Sequence, residues 1–134
     1  KIVDLDEAWA FLNVAQGETL SNKLVRAGRA MNAGVYFVTQ SSGDVSKESL
    51  KNNIGLKFAF RSTDTNEIKQ TLEFFGLDSE DENNQKRLRD LENGQCLMQD
   101  LYGRVGVVQI HPVFVELLHA FDTRPPIKSE VDLE

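Results

Sequence analysis

The 134-residue chain is 40% hydrophobic and 27% charged, with a formal net charge of −6, which bounds it to one globular domain with a modest core. No apolar run approaches the ~20 residues of a bilayer-crossing helix, so membrane association is expected only through partners, and the acidic balance excludes a general attraction to nucleic acid. A single cysteine, Cys96, rules out an internal disulfide and fits a reducing compartment, most simply a cytoplasm; isolated His111 and His119 argue against a His-built metal site.

Residues 2–6 read as a strand, apolar and β-branched until it meets Asp6 and Glu7. Residues 18–31 have helical periodicity: Leu20, Leu24, Val25 and Ala27 fall near one face, and Lys23, Arg26 and Arg29 largely off it. Asn32-Ala33-Gly34 ends that helix, with Gly34 suited to a left-handed cap. VYFVTQ then forms a second strand, apolar enough to be buried on both faces. SSGD breaks it, and a short helix is expected over 46–52. LKFAF gives a third strand. Asp64 and Glu67 carry the Asp-x-x-Glu form of an N-cap signal for a helix reaching Phe75 and stopped by Gly76. Ser79 and Glu82 repeat the signal for a helix ending near Leu91. This alternation predicts an α/β fold with three parallel strands and covering helices.

The texture changes after Asn93-Gly94. QCLMQDL and RVGVVQI, joined by a turn at Tyr102-Gly103, read as an antiparallel hairpin. Pro112 starts a helix whose segment VFVELLHAF supplies an apolar face. The domain is expected over 1–122, followed by a disordered tail over 123–134, where TRPPIKSEVDLE has little to bury. The acid is concentrated in LDSEDENNQKRLRDLEN and in this tail, whereas NKLVRAGRAMNAG is basic and offers a local basic surface.

A strand that ends in Asp-Glu suits nucleotide hydrolysis. Asp6 can hold the water shell of a Mg²⁺ ion, which prefers oxygen ligands, and Glu7 can orient or deprotonate an attacking water. The bland alternative is that both acids simply open a turn. Gln40, at the end of the next parallel strand, reaches the same rim, where a carboxamide can bond a water and a γ-phosphate oxygen; otherwise it caps a loop. Arg26 and Arg29 share a helix face and form either a solvated basic surface or an arginine finger for a neighbouring subunit's nucleotide.

IVDLDEAWAFL, RAGRAMNAGVYFVTQSSGDV and ENGQCLMQD with its hairpin together resemble the C-terminal end of the conjugation ATPases of type IV secretion systems. These VirB-type motors belong to the FtsK–HerA group and have a RecA-like fold; the likeness runs from Lys1 to about Pro126 and is strongest to versions from Gram-positive conjugative elements. The resemblance implies that Asp6 and Glu7 are the Walker B pair, that Gln40 is the sensor glutamine, and that Arg29, or less favourably Arg26, is the finger. It implies ATP and Mg²⁺ as cofactors of the intact motor, a hexameric ring, other secretion components at the cytoplasmic membrane, and DNA as a partner. Lys47 and Arg61 lie past strand ends, within reach of phosphate or DNA, without an assigned role.

The chain departs from the family in lacking a Walker A string, G-x-x-x-x-G-K-[ST]; GETLSNK, GDVSKES and GRAMNAG all fail it. The expectation is therefore the distal part of a longer motor: an incomplete RecA-like P-loop core, inactive alone, followed by a hairpin and helix. The Walker A strand would lie between VYFVT and LKFAF, and without it exposed sheet edges favour self-association. Two rivals are a double-stranded DNA pump or helicase-like ATPase of the same group, and a non-catalytic interaction module.

Overall fold

A computed structural model describes residues 1–45, 48–120 and 122, without the side chains of Glu18, Arg29, Met31, Glu48 and Ser49. Lys47, the expected start of a helix at Ser46 and the tail over 123–134 lie outside the described residues.

Strands β1 (Ile2–Leu5) and β2 (Gly34–Phe37) pair in parallel, with Leu5 opposite Phe37. The pairing runs past both strands: Val38 N–H donates to Leu5 O at 3.0 Å, and Ala8 N–H to Val38 O at 2.8 Å. The crossover between them consists of two helices, α1 (Ala8–Leu12) and α2 (Ala15–Met31). Helix α2 begins earlier than its apolar periodicity suggested, and it includes Gly17 despite glycine's low helix propensity. The reason is close approach: a Cβ on Gly17 would lie 1.9 Å from Phe11 O. At the other end of α2 the left-handed residue is Asn32 (φ 48°), not Gly34, which already belongs to β2.

Burial corrects a second expectation. Along β1 and β2, Val3, Leu5, Val35 and Phe37 are half-buried, while Ile2, Asp4, Gly34 and Tyr36 are exposed. Only one face of this sheet is covered by the described residues, so β2 is not buried on both faces.

The mixed α/β architecture is as expected, with a correction to the third strand. Strand β3 (Lys57–Ala59) pairs with neither β1 nor β2; it pairs antiparallel with β4 (Gln95–Gln99), which pairs antiparallel with β5 (Val105–Gln109). The hairpin thus extends the sheet of the third strand instead of standing apart from it. Asp100 shapes its turn: the carboxylate accepts from Tyr102 N–H and Arg104 N–H at 2.9 Å each, and pairs with the Arg104 guanidinium at 2.7 Å.

A 3-10 turn (Ser42–Asp44) and α3 (Glu48–Lys51) precede β3 in the chain, and α4 (Thr65–Phe75) and α5 (Glu82–Arg89) connect β3 to β4. Helix α4 has its expected limits, with Asp64 as N-cap and Gly76 in the left-handed cap at φ 74°. For α5 the cap is Asp81, whose Oδ1 accepts from Asn83 N–H at 2.8 Å, and not Ser79, whose hydroxyl donates to Glu73 instead. Helix α6 (Val115–Ala120) begins after Pro112 rather than at it, and every residue of it is exposed, so its apolar face packs on nothing described. The core joins α1, α4, α5 and β4 through Leu12, Ile68, Leu72, Phe75, Leu88 and Leu97, with Leu5 and Phe37 packed against it. Cys96, on β4, is fully buried, and burial raises its thiol pKa.

Candidate functional site at the rim of the parallel strands

Because β1 and β2 are parallel and in register, their carboxyl ends share one rim, where open α/β sheets bind ligands. Asp6 and Glu7 leave β1 there, and Gln40 leaves β2 after Val38 and Thr39. All three are exposed. Asp6 Oδ1 accepts from Glu7 N–H at 3.0 Å, so one carboxylate oxygen shapes the turn and the other faces solvent. Glu7 adopts φ 51°, ψ 48°, the left-handed region that a residue bearing a Cβ occupies at a cost. The chain accepts this strain while turning sharply from β1 into α1, with Glu7 O accepting from Ala10 N–H at 3.0 Å.

The donor set suits a hard divalent cation. Two exposed carboxylates offer oxygen ligands, and no group of three or more potential metal-ligating side chains occurs among the described residues. Oxygen donors are the ligands that Mg²⁺ takes, commonly one or two carboxylates with waters completing the shell. Asp6 would hold it, and the ion would neutralise phosphate charge.

The loop following β2 is fixed by a network that sequence reasoning missed. Thr39 Oγ1 donates to Asp44 Oδ2 at 2.6 Å, across the loop. The Ser41 hydroxyl donates to Glu67 Oε2 at 2.8 Å, and Ser42 N–H to Glu67 Oε1 at 2.6 Å. Glu67 lies on the first turn of α4. Its part in an Asp-x-x-Glu capping signal was legible; its partners across the fold were not. The contact also fixes sides: β3 leads through Arg61 to Asp64, and α4 starts against the loop after β2. Exposed Arg61 therefore lies on the same side as the rim.

The arginines are elsewhere. Helix α2 runs back from the rim towards the start of β2, so Arg26 is about 17 Å along it from Ala15 at 1.5 Å per residue. Arg26 is exposed, and the backbone of Arg29 lies still further from the rim, with its side chain outside the described residues. Asp6, Glu7 and Gln40 are thus brought together, whereas Arg26 and Arg29 are not brought to that rim within one chain.

A profile of the family described as "AAA-like domain" matches residues 1–121. The uncharacterized protein YddE of Bacillus subtilis (strain 168) is 34% identical over 119 residues, covering 89% of this chain but 14% of YddE. Among solved structures, the chain is similar to B204, the DNA-packaging ATPase from Sulfolobus Turreted Icosahedral Virus, at TM-score 0.67 and 16% identity, covering 83% of this chain and 52% of that one. It is also similar to the genome packaging NTPase B204 from Sulfolobus turreted icosahedral virus 2 in complex with ATP-gammaS, at TM-score 0.64, 15% identity and the same coverage of 83% and 52%. The chain spans about half of the structures it matches and a far smaller share of YddE.

Proposed function

We propose that this chain, which belongs to the AAA-like domain family and shares its fold with a DNA-packaging ATPase, is an incomplete RecA-like P-loop ATPase core and forms the water-activating half of the ATP site in a conjugative DNA-transfer motor of type IV secretion. The observation that carries the reading is the convergence of Asp6, Glu7 and Gln40 on one rim of a parallel strand pair. Asp6 anchors the waters of a Mg²⁺ ion, which when bound supplies positive charge to the phosphates. Glu7 accepts a proton from the attacking water. Gln40 donates its amide N–H to the γ-phosphate and orients that water with its carbonyl oxygen. The amides and lysine of a Walker A loop come from sequence outside these residues, in keeping with the share of B204 that the chain covers.

Arg29, or Arg26, acts on the nucleotide of an adjacent subunit, since α2 carries both away from their own rim. This gives the arginines a role only in a homo-oligomer, for which a hexameric ring at the cytoplasmic face of the membrane, with DNA and secretion components as partners, is our reading. The assignment to conjugation rests on the three motifs IVDLDEAWAFL, RAGRAMNAGVYFVTQSSGDV and ENGQCLMQD. The fold similarity to a DNA-packaging ATPase favours a second reading, a double-stranded DNA pump using the same residues.

The test is Glu7→Gln in a full-length protein carrying this chain. The amide keeps the shape and loses the basicity, so turnover should fall by about 10²- to 10⁴-fold with nucleotide affinity nearly unchanged. Near-normal turnover would remove Glu7 from the chemistry.

A further inference from the structure

Asp-x-x-Glu at a helix start normally works reciprocally: the first acid caps the helix, and the second reaches back to the cap residue's own N–H. Here only the first half is made. Asp64 Oδ1 accepts from Glu67 N–H at 2.8 Å, but the Glu67 carboxylate turns away from its own cap. Oε1 accepts from Ser42 N–H at 2.6 Å and, weakly, from the Thr71 hydroxyl at 3.5 Å; Oε2 accepts from the Ser41 hydroxyl at 2.8 Å. Both oxygens thus grip the two residues that immediately follow Gln40. Bonds to a carboxylate are stronger than neutral ones, and these are partly buried.

Gln40 itself is exposed and its side chain makes no hydrogen bond among the described residues. Its direction is set by its neighbours. The Thr39–Asp44 bond and Gly43 N–H donating to Ser41 Oγ at 3.2 Å give the loop its internal shape. Both bonds are internal to the loop; Val45 at its far end is buried in the core, and Glu67 joins the loop to α4. The platform it stands on is firm. Helix α4 buries Ile68, Leu72, Phe74 and Phe75, and its last carbonyls are capped by Lys51 at Glu73 O (2.8 Å), Lys57 at Phe74 O (2.8 Å) and Gln99 at Phe75 O (3.0 Å).

We propose that Glu67 is the positioning residue for Gln40, holding the loop after β2 so that the carboxamide meets the terminal phosphate and the attacking water. This rests on the ATPase reading above. A misplacement of about 1 Å in such a group costs up to roughly 100-fold in rate. A carboxamide in place of Glu67 can still accept from Ser42 N–H while donating to Ser41 Oγ. A methyl group can do neither.

The experiment is a double-mutant cycle on steady-state ATP hydrolysis by the full-length protein, with Glu67→Ala, Glu67→Gln, Gln40→Ala and the double variant Gln40→Ala/Glu67→Ala. Glu67→Ala should lower kcat by about 10- to 100-fold with KM little changed, and Glu67→Gln should restore most of it. In the Gln40→Ala background, Glu67→Ala should cost nothing further, because its effect runs through Gln40. Multiplicative losses would overturn the proposal and leave Glu67 a structural residue. If Gln40→Ala alone leaves kcat unchanged, the sensor role of Gln40 fails first and the positioning role with it. Should Glu67→Ala not fold, Ser41→Ala removes the Oε2 bond from the loop side, and the same non-additivity with Gln40→Ala is required of it.

Discussion

Glu7 holds a backbone conformation that its own side chain disfavours, φ 51° and ψ 48°, at the step from β1 into α1. A residue with a Cβ sits in that region at a cost of about 1–2 kcal/mol relative to the right-handed alternative, and observed outliers of this kind gather at functional sites. Glycine there would relieve the strain and lose the carboxylate. Glu7→Gly should therefore stabilise the chain by about 1 kcal/mol, read as a higher urea midpoint, while the full-length protein loses turnover. A destabilised variant would mean that Glu7 contributes packing or bonding that the turn does not reveal. The rim positions of Asp6, Glu7 and Gln40 were legible in the sequence because each lies within two residues of the last apolar residue of a predicted strand, Leu5 or Val38, and parallel pairing carries such positions to one rim. Glu67 was not legible as a rim-side residue, because its partners Ser41 and Ser42 are distant in sequence and only folding brings them near.

Helix α4 shows what local signals do and do not determine. Asp64 and Gly76 bracket an amphipathic run, and the helix has the limits they dictate. The same logic missed at α5, where two neighbouring side chains can cap and the Asp81 carboxylate wins over the Ser79 hydroxyl. Nor did local pattern reveal the far end of α4. Lys57, on β3, reaches Phe74 O and lies 4.5 Å from the centre of the Phe74 ring. Burial, and then the positive charge of Lys51, pull the Lys57 ammonium below its usual 10.5. In the alkaline window below that value the unfolded chain holds this proton more tightly than the folded one. Raising the pH through the window therefore removes a penalty on folding. The stability of the chain minus that of Lys57→Met, from urea melts at a series of pH values, should rise as pH approaches 10.5. A flat or falling difference would mean that the carbonyl and ring contacts outweigh burial for the charged form.

At the scale of the whole molecule the described residues form two sheets, β1-β2 and β3-β4-β5, with no backbone pairing between β2 and β3. The absence of β2–β3 pairing is compatible with a further strand between VYFVT and LKFAF, whereas the antiparallel partner of β3 was not foreseen; strand pairing depends on which edges meet, and apolar pattern alone does not encode that. Ile2 is 71% exposed, Tyr36 54% and Phe60 59%, and Val113, Phe114 and Val115 of the C-terminal segment are exposed as well. Apolar surface beside open strand edges invites pairing with another chain. Sedimentation of the 134-residue chain should show mass rising with concentration, whereas a monomer up to its solubility limit would mean that these surfaces are inert. The position of the nucleotide relative to the β1–β2 rim is decisive. A structure of the full-length protein with Mg²⁺ and a slowly hydrolysed ATP analogue tests it most directly. We predict the ion one water away from Asp6, and the in-line water within about 3 Å of a Glu7 carboxylate oxygen and of the Gln40 carboxamide. A nucleotide bound at the amino ends of β1 and β2, or with its γ-phosphate remote from all three side chains, would contradict the account.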